Sequence, residues 1–336
     1  MRPCPILSLA AALTFALPAS ALELTEHRLA LSDGAGAGRV SVTVNQAGGG
    51  ANRVSLGAGG YVAQRAKPAE RGPRPAGALP DTEVAVGTGD IRKAWLSGLT
   101  RRYDHGVLGD AIEADSVSAE LADGTASTYA AGADAVFEDR ISRLVDINGD
   151  GRAEIMLVRS HLNFGAALVL VGPVGGRLAL LAEAAPIGIA HRWLNPVGVG
   201  DFDGDGVNEA AVVITPHIGG ALQLYEWRGD RLVPDHAGGA EVGGFSNHPI
   251  GSRELGLSAL TDLDRDGTID IVVPAAGRRA LVGVSFAGGR YRELFRHVLP
   301  STIDSSIAVR DLDADGWAEI VFGLQDGTVR VLSARR

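Results

Sequence analysis

The chain has 336 residues, of which 46% are hydrophobic, 21% charged and 5% aromatic, a balance that excludes a disordered polyelectrolyte and a membrane bundle. Its 31 basic and 40 acidic residues give a formal charge of -9, so no sequence-wide basic surface exists to displace counterions from nucleic acid or anionic lipid. Residues 1–21 read as an export signal peptide, with a basic start at Arg2, an apolar stretch over 6–17 and the small-x-small triplet Ala19-Ser20-Ala21. That stretch is shorter than the roughly 18 residues of a spanning helix. The mature chain, from Leu22, is expected to be secreted to the periplasm or beyond, with no integral membrane segment. The single cysteine, Cys4, lies inside the leader, so disulfides cannot brace the exported product.

Residues 22–31, with Leu22, Leu24, Leu29 and Leu31, form an extended, partly apolar segment. Residues 32–80 hold Ala-Gly clusters and a Pro-rich run over 67–80; they read as an insertion or linker, in which 39–44 and 53–56 fit a hairpin. Short β-type runs at 83–87, 94–96, 116–121 and 125–130 make one unit spanning 82–131. A nine-residue pattern then occurs four times: Asp146-Ile-Asn-Gly-Asp-Gly-Arg-Ala-Glu154, Asp201-Phe-Asp-Gly-Asp-Gly-Val-Asn-Glu209, Asp262-Leu-Asp-Arg-Asp-Gly-Thr-Ile-Asp270 and Asp311-Leu-Asp-Ala-Asp-Gly-Trp-Ala-Glu319. The starts are 55, 61 and 49 residues apart, with a short apolar run on either side of each, so the unit is strand, acidic loop, strand.

The spacing has a chemical reason. Ca2+ takes about six to eight oxygens, and side chains at alternate positions 1, 3 and 5 of a tight loop converge on one point. These are Asp146, Asn148 and Asp150; Asp201, Asp203 and Asp205; Asp262, Asp264 and Asp266; Asp311, Asp313 and Asp315. Gly at position 6 permits the turn, and the backbone carbonyl at position 7 (Arg152, Val207, Thr268, Trp317) adds a ligand. The acid at position 9 (Glu154, Glu209, Asp270, Glu319) closes the shell. Fifteen carboxylates occupy the side-chain positions, with Asn148 the one neutral substitute, and without metal they repel one another. An EF-hand is disfavoured, because its bidentate acid stands at position 12 and helices flank its loop.

These loops resemble the calcium-loop half of the FG-GAP and VCBS repeats of integrin alpha-chain propellers and of many exported bacterial proteins. Over residues 82–336 the resemblance implies an all-β protein: a β-propeller of four-stranded blades, with up to four Ca2+ held between the first two strands of a blade. No Phe-Gly to Gly-Ala-Pro half stands beside the loops, so integrin-like ligand recognition is not carried over. Traced as strands A to D, the calcium-loop blades span 141–183, 194–238, 255–298 and 306–336. The last ends after strand C, at 328–332. Segment 22–31 is expected to supply its missing strand, because an open edge invites association. The unit 82–131 is a degenerate blade whose A–B connection, Thr88-Gly-Asp-Ile91, has lost the metal pattern. That counts five blades within one domain, 22–336; six or seven stay open while 32–80 is unplaced.

Since strands alternate in direction, the acidic A–B loops and C–D turns share one end, and B–C loops and D-to-A links share the other. His105, His161, His191, Arg192, His217, His248, Arg253 and Glu254 map to the second end, as a candidate ligand face. The fixed charge of Arg192 and Arg253 beside histidines suits an anionic or polyhydroxylated ligand. There is no His-x-x-x-His or His-Glu-x-x-His spacing, and no nucleophile elbow surrounds Ser160 or Ser246, so no catalytic residue is assigned. The expected function is a calcium-stabilised binding or scaffold module for a protein, glycan or anionic small molecule. One alternative is a hydrolase or lyase acting on an extracellular polymer or phosphoester through the same face. The other is a docking subunit of a periplasmic assembly.

Overall fold

The computed structural model describes residues 22–32, 40–67, 73–235 and 242–335; the expected export signal, 1–21, lies outside them. Among the described residues the chain is all-β apart from a 3-10 turn at Ala276–Arg278, and no helix is long and apolar enough to cross a membrane.

The chain opens with β1 (Glu23–Leu29) and β2 (Leu31–Ser32). A first sheet consists of β3 (Ser41–Asn45), β4 (Ala51–Gly57) and β5 (Gly60–Ala66), with β2 running parallel to β5 along its edge. The second is the meander β6 (Ala85–Val86), β7 (Ile91–Thr100), β8 (Glu113–Leu121) and β9 (Ala126–Ala130). A bridging strand, β10 (Ala135–Phe137), leads into the third: β11 (Arg143–Val145), β12 (Glu154–His161), β13 (Gly165–Val174) and β14 (Arg177–Ala184). The fourth is β15 (Leu194–Gly200), β16 (Glu209–Ile214), β17 (Gly220–Arg228) and β18 (Arg231–Asp235), with β19 (Val242–Phe245) against β17. The fifth is β20 (Ala259–Thr261), β21 (Asp270–Pro274), β22 (Ala280–Ser285) and β23 (Arg292–Val298). The last is β24 (Ala308–Arg310), β25 (Glu319–Gly323) and β26 (Val329–Arg335), and β1 is its outer strand. Short ladders from β10 to β8 and β12, and from β14 to β18, join the second to fourth meanders into one hydrogen-bonded sheet.

Why the second strands read as unbroken apolar runs is clear from what each face meets. Adjacent residues of a strand point to opposite faces. Ile155 and Leu157 of β12 join a core with Leu96, Val117 and Ala119 of the second sheet, while Met156 and Val158 join one with Leu194, Ala210 and Val212 of the fourth. The pattern continues around the molecule. Ala211 and Val213 meet Ile271 and Val273; Val272 and Leu281 meet Ile320 and Phe322; Val321, Val329 and Val331 meet Val44, Val54 and Ala63 of the first sheet. Successive sheets stacked face to face, with the first against the last, make a β-propeller.

Residues 41–66 are therefore part of the stack rather than a linker, and their glycines fall in the turns between strands or, as Gly57 and Gly60, at the strand ends beside a turn. Among the described residues no apolar cluster joins the first sheet to the second. A cleft of about 1020 Å³ lies there instead, lined by Asn45 to Gly50 of the first sheet, Thr82 to Val84 and Lys93 of the second, and Arg140, Arg253 and Glu254.

β1 runs antiparallel to β26 over its whole length, from Glu23 opposite Arg335 to Leu29 opposite Val329; of the expected partner segment 328–332, Val329 to Leu332 lie in this ladder and Thr328 precedes it. Two residues later the same extended chain, as β2, pairs Leu31 with Ala63 of β5. One N-terminal strap thus edges both the last sheet and the first.

Candidate functional site

At one end of the strands the four acidic loops have a common hydrogen-bond pattern. The N–H at position 6 donates to the carboxylate at position 1, from Gly151, Gly206, Gly267 and Gly316 to Asp146, Asp201, Asp262 and Asp311, at 2.9 to 3.0 Å. These glycines have φ of 82°, 89°, 95° and 86°, which only glycine adopts without strain. The carboxylate at position 9 reaches back to the N–H at position 2: Glu154 to Ile147, Glu209 to Phe202, Asp270 to Leu263 and Glu319 to Leu312, at 2.8 to 3.1 Å. The side chains at position 2 are buried, which anchors each loop to the core. Position 4 is also left-handed, even where it is Arg265 (φ 59°) or Ala314 (φ 62°), a constraint that the spacing did not reveal.

Three of the loops bring carboxylate oxygens within 4.8 Å of one another: Asp201, Asp203 and Glu209; Asp262, Asp264 and Asp270; Asp311, Asp313 and Asp315. In the remaining loop Asn148 Nδ2 donates to Asp150 Oδ2 at 3.2 Å. Asp270 Oδ1 and Asp311 Oδ1 are buried with no hydrogen-bond partner. Burial first, then the neighbouring carboxylates, push Glu154 up to about 7, Glu209 to about 8 and Asp270 to about 7, and raise Glu319 as well. A hard divalent cation relieves this repulsion and uses the orphaned oxygens, so the residues present fit Ca2+.

The loops also touch their neighbours. Arg265 lies over the Trp317 ring at 4.1 Å, Asn208 Nδ2 donates to the Asp146 carbonyl at 3.5 Å, and Tyr61 Oη donates to Asp313 Oδ2 at 3.5 Å. In the corresponding connection of the second sheet, which lacks the nine-residue pattern, Asp90 Oδ1 accepts the Ala153 N–H at 2.9 Å.

At the opposite, link end, the eight candidate ligand-face residues divide among separate places. His105 and His191 lie together, with ring centroids 5.3 Å apart and Tyr103 against both. His217 stacks on Trp193, and its Nε2 is 2.8 Å from His248 Nδ1. Arg253 and Glu254 line the cleft, where Arg253 pairs with Asp110 at 2.9 Å. His161 faces outward instead: its Nε2 is 2.8 Å from Glu183 Oε1, while Arg159 holds the other oxygen. Arg192 is half-buried, and its carbonyl accepts the Ala166 N–H at 2.9 Å.

Two carboxylates at this end have partners that no motif or spacing announces. Glu138 is fully buried, with Oε1 2.6 Å from His105 Nδ1, Oε2 accepting from Ser160 Oγ, and its carbonyl accepting from Trp193 Nε1 at 2.9 Å. Glu113, also buried, is pushed up to about 10 by burial and then by Glu138.

These shifts give stability two opposed pH limbs. Burial pushes His217 down to about 4, and burial with the His217 charge pushes His248 down to about 3. The unfolded chain takes up these protons near 6.5, so the pair's contribution is complete above that pH and drains away as pH falls toward 4 and 3. Glu113 acts in reverse, since its folded carboxyl keeps the proton that the unfolded chain releases near 4.5; that contribution is lost as pH rises from there toward 10. Urea unfolding from pH 5 to 9 should show both limbs, each on the order of a few kcal/mol at about 1.4 kcal/mol per pKa unit. Glu154, Glu209 and Asp270 add to the alkaline limb only up to about 8, so Glu113→Gln should remove the part that continues toward 10 and leave the acid limb as it is. No difference from the wild type above about pH 8 would mean that Glu113 is ionised in the fold.

No family model matches the chain, and no curated protein matches it either. Among solved structures, the WD40 domain of Toxoplasma gondii coronin is similar, at 13% identity and a TM-score of 0.38 over 94% of this chain and 87% of that one.

Proposed function

We propose that the chain is an exported, calcium-stabilised, six-bladed β-propeller of FG-GAP/VCBS type, which acts as a binding module through its link end. The sixth blade in this reading is the sheet of β3 to β5. Ca2+ would be held by the side chains at positions 1, 3, 5 and 9 of the four loops, with the position 7 carbonyl beside them. There it supplies positive charge that clamps the first two strands of a blade.

The observation that carries the binding role is the cleft between the first and second sheets, where an apolar core is replaced by Asn45, Thr82, Glu83, Arg140, Arg253 and Glu254. Glu254 is raised by burial and by the nearby Glu83, which Arg140 opposes. Guanidinium, carboxyl and amide groups around one cavity suit an anionic or polyhydroxylated ligand. Melting curves should be recorded across uronic, phosphorylated and neutral saccharides. A compound that raises the midpoint of the wild type but not of Arg253→Ala or Glu254→Ala supports the site; stabilisation untouched by either substitution removes it.

A second reading, docking of a protein, is favoured by exposed apolar side chains on adjacent loops of the same end. Phe164, Ile189, Ile218 and Ile250 are 56%, 59%, 59% and 73% exposed. The enzyme alternative has Glu83 and Glu254 as its acidic pair, with no reaction assigned.

A further inference from the structure

Glu138 fixes the chemistry of His105. A carboxylate beside Nδ1 accepts, so Nδ1 carries the proton and Nε2, on the far side of the ring, is the nitrogen whose lone pair is open to a cation. Nε2 has no hydrogen-bond partner among the described residues. The second oxygen of Glu138 is held by Ser160, so the carboxylate itself is locked. A carboxylate behind one nitrogen with a free lone pair on the other is the arrangement that orients metal-ligating histidines.

The backbone that carries the neighbouring imidazole is held as well. His191 has φ 58°, a left-handed conformation that strains a residue with a side chain. Its backbone N–H donates to Tyr103 Oη at 2.8 Å, and the nearby Ile189 and Arg192 carbonyls press on Gly165, where a Cβ would meet them at 2.3 and 2.9 Å. The result is an exposed ring with its centroid 5.3 Å from that of His105. Imidazole nitrogens bind zinc at about 2.0 to 2.1 Å, which places two rings on one ion roughly 5 Å apart.

We propose that His105 Nε2 and His191 form a two-imidazole site for a borderline divalent cation such as Zn2+, Cu2+ or Ni2+, oriented by Glu138, with its other positions left to water or to donor atoms of a bound ligand. Nitrogen donors separate it from the oxygen-lined loops, which prefer hard cations. The site stands whether or not the cleft binds a ligand.

The test uses the full mature chain in excess Ca2+, titrated with Zn2+ by calorimetry and with Cu2+ by electron paramagnetic resonance. One equivalent should bind, with two imidazole nitrogens in the Cu2+ spectrum. His105→Ala and His191→Ala should each weaken Zn2+ binding by about tenfold or more, and Glu138→Gln by a similar factor, with the thermal midpoint in Ca2+ as the folding control. Because Glu138 is buried, the exposed His191 supplies the decisive variant should Glu138→Gln fail to fold. His161→Ala should change nothing. Absence of binding overturns the assignment, as does affinity that survives His191→Ala. Loss with His217→Ala overturns it too, since the ion would then lie on the His217 and His248 pair.

Discussion

Chelation of Ca2+ is expected to lower the thermal midpoint of the mature chain by several degrees and to broaden susceptibility to proteolysis at the acidic-loop end. With dissociation constants of about 0.1 to 1 mM, the range of extracellular modules, each site contributes roughly 0.4 to 1.4 kcal/mol at about 1 mM Ca2+. Four sites sum to roughly 2 to 6 kcal/mol, a large part of the stability of an ordinary domain. With Ca2+ bound, the position 9 acids would be ionised around the cation; without it their burial and mutual repulsion hold them raised. Glu209→Gln or Glu319→Gln should each remove about one site's share. The Asp146 loop should be the weakest, because Asn148 brings one charge fewer and its amide is already turned to Asp150. Calorimetric titration of the chelated protein counts the sites directly. No Ca2+ uptake, or a midpoint indifferent to chelator, ends the calcium reading.

Glu26→Ala should destabilise the protein by about 3 to 5 kcal/mol, the range for leaving a buried charge without its partner. Glu26 stands on β1 with Oε1 2.8 Å from Arg330 Nε and Oε2 3.1 Å from His297 Nε2. Arg330 is 1% exposed, so its guanidinium cannot turn to water when the carboxylate is gone. Glu26 itself is partly exposed, which places the expected value toward the lower end. Removing residues 22–32 altogether should have a larger effect. It deletes Leu22 and Leu24 from one core and Leu29 and Leu31 from the next, and it uncovers the edges of β26 and β5 together. Urea midpoints report the first variant, and light scattering with gel filtration the second. A truncated chain that stays monomeric with an unchanged midpoint would show that the strap is dispensable.

The acidic loops were legible because each requirement is local: carboxylates at alternate positions, glycine at the left-handed position 6, and an apolar anchor at position 2, all within nine residues. The first sheet was harder to read. Its core contribution rests on Val44, Val54 and Ala63, separated by the glycine-rich turns at 46–50 and 57–60, so no window of sequence shows a sustained period. The link end was legible as an end but not as a set of sites. Strand direction places a residue at one end of a blade; its parity along the strand decides where it points. Ser160 turns toward Glu138, and His161, the next residue, turns away to Glu183. Glu138 had no local signal, because its partners His105 and Ser160 lie 33 and 22 residues away.

The strap described with the fold also bears on the order in which the molecule can assemble. The meanders pair strands that are close in the chain, so each can form as its own residues become available. Glu23 opposite Arg335 is the reverse: two residues more than three hundred positions apart must meet before the last ladder exists. The entropy of closing so long a loop grows only logarithmically, so the finished ladder is not much weakened by its span, but the search for it comes late. Through that interval β26 and β5 present open edges at once, the time when a neighbouring chain competes best for them. The earliest strand of the described chain is therefore among the last to dock, and the time needed for docking sets how long the chain must be kept from its neighbours.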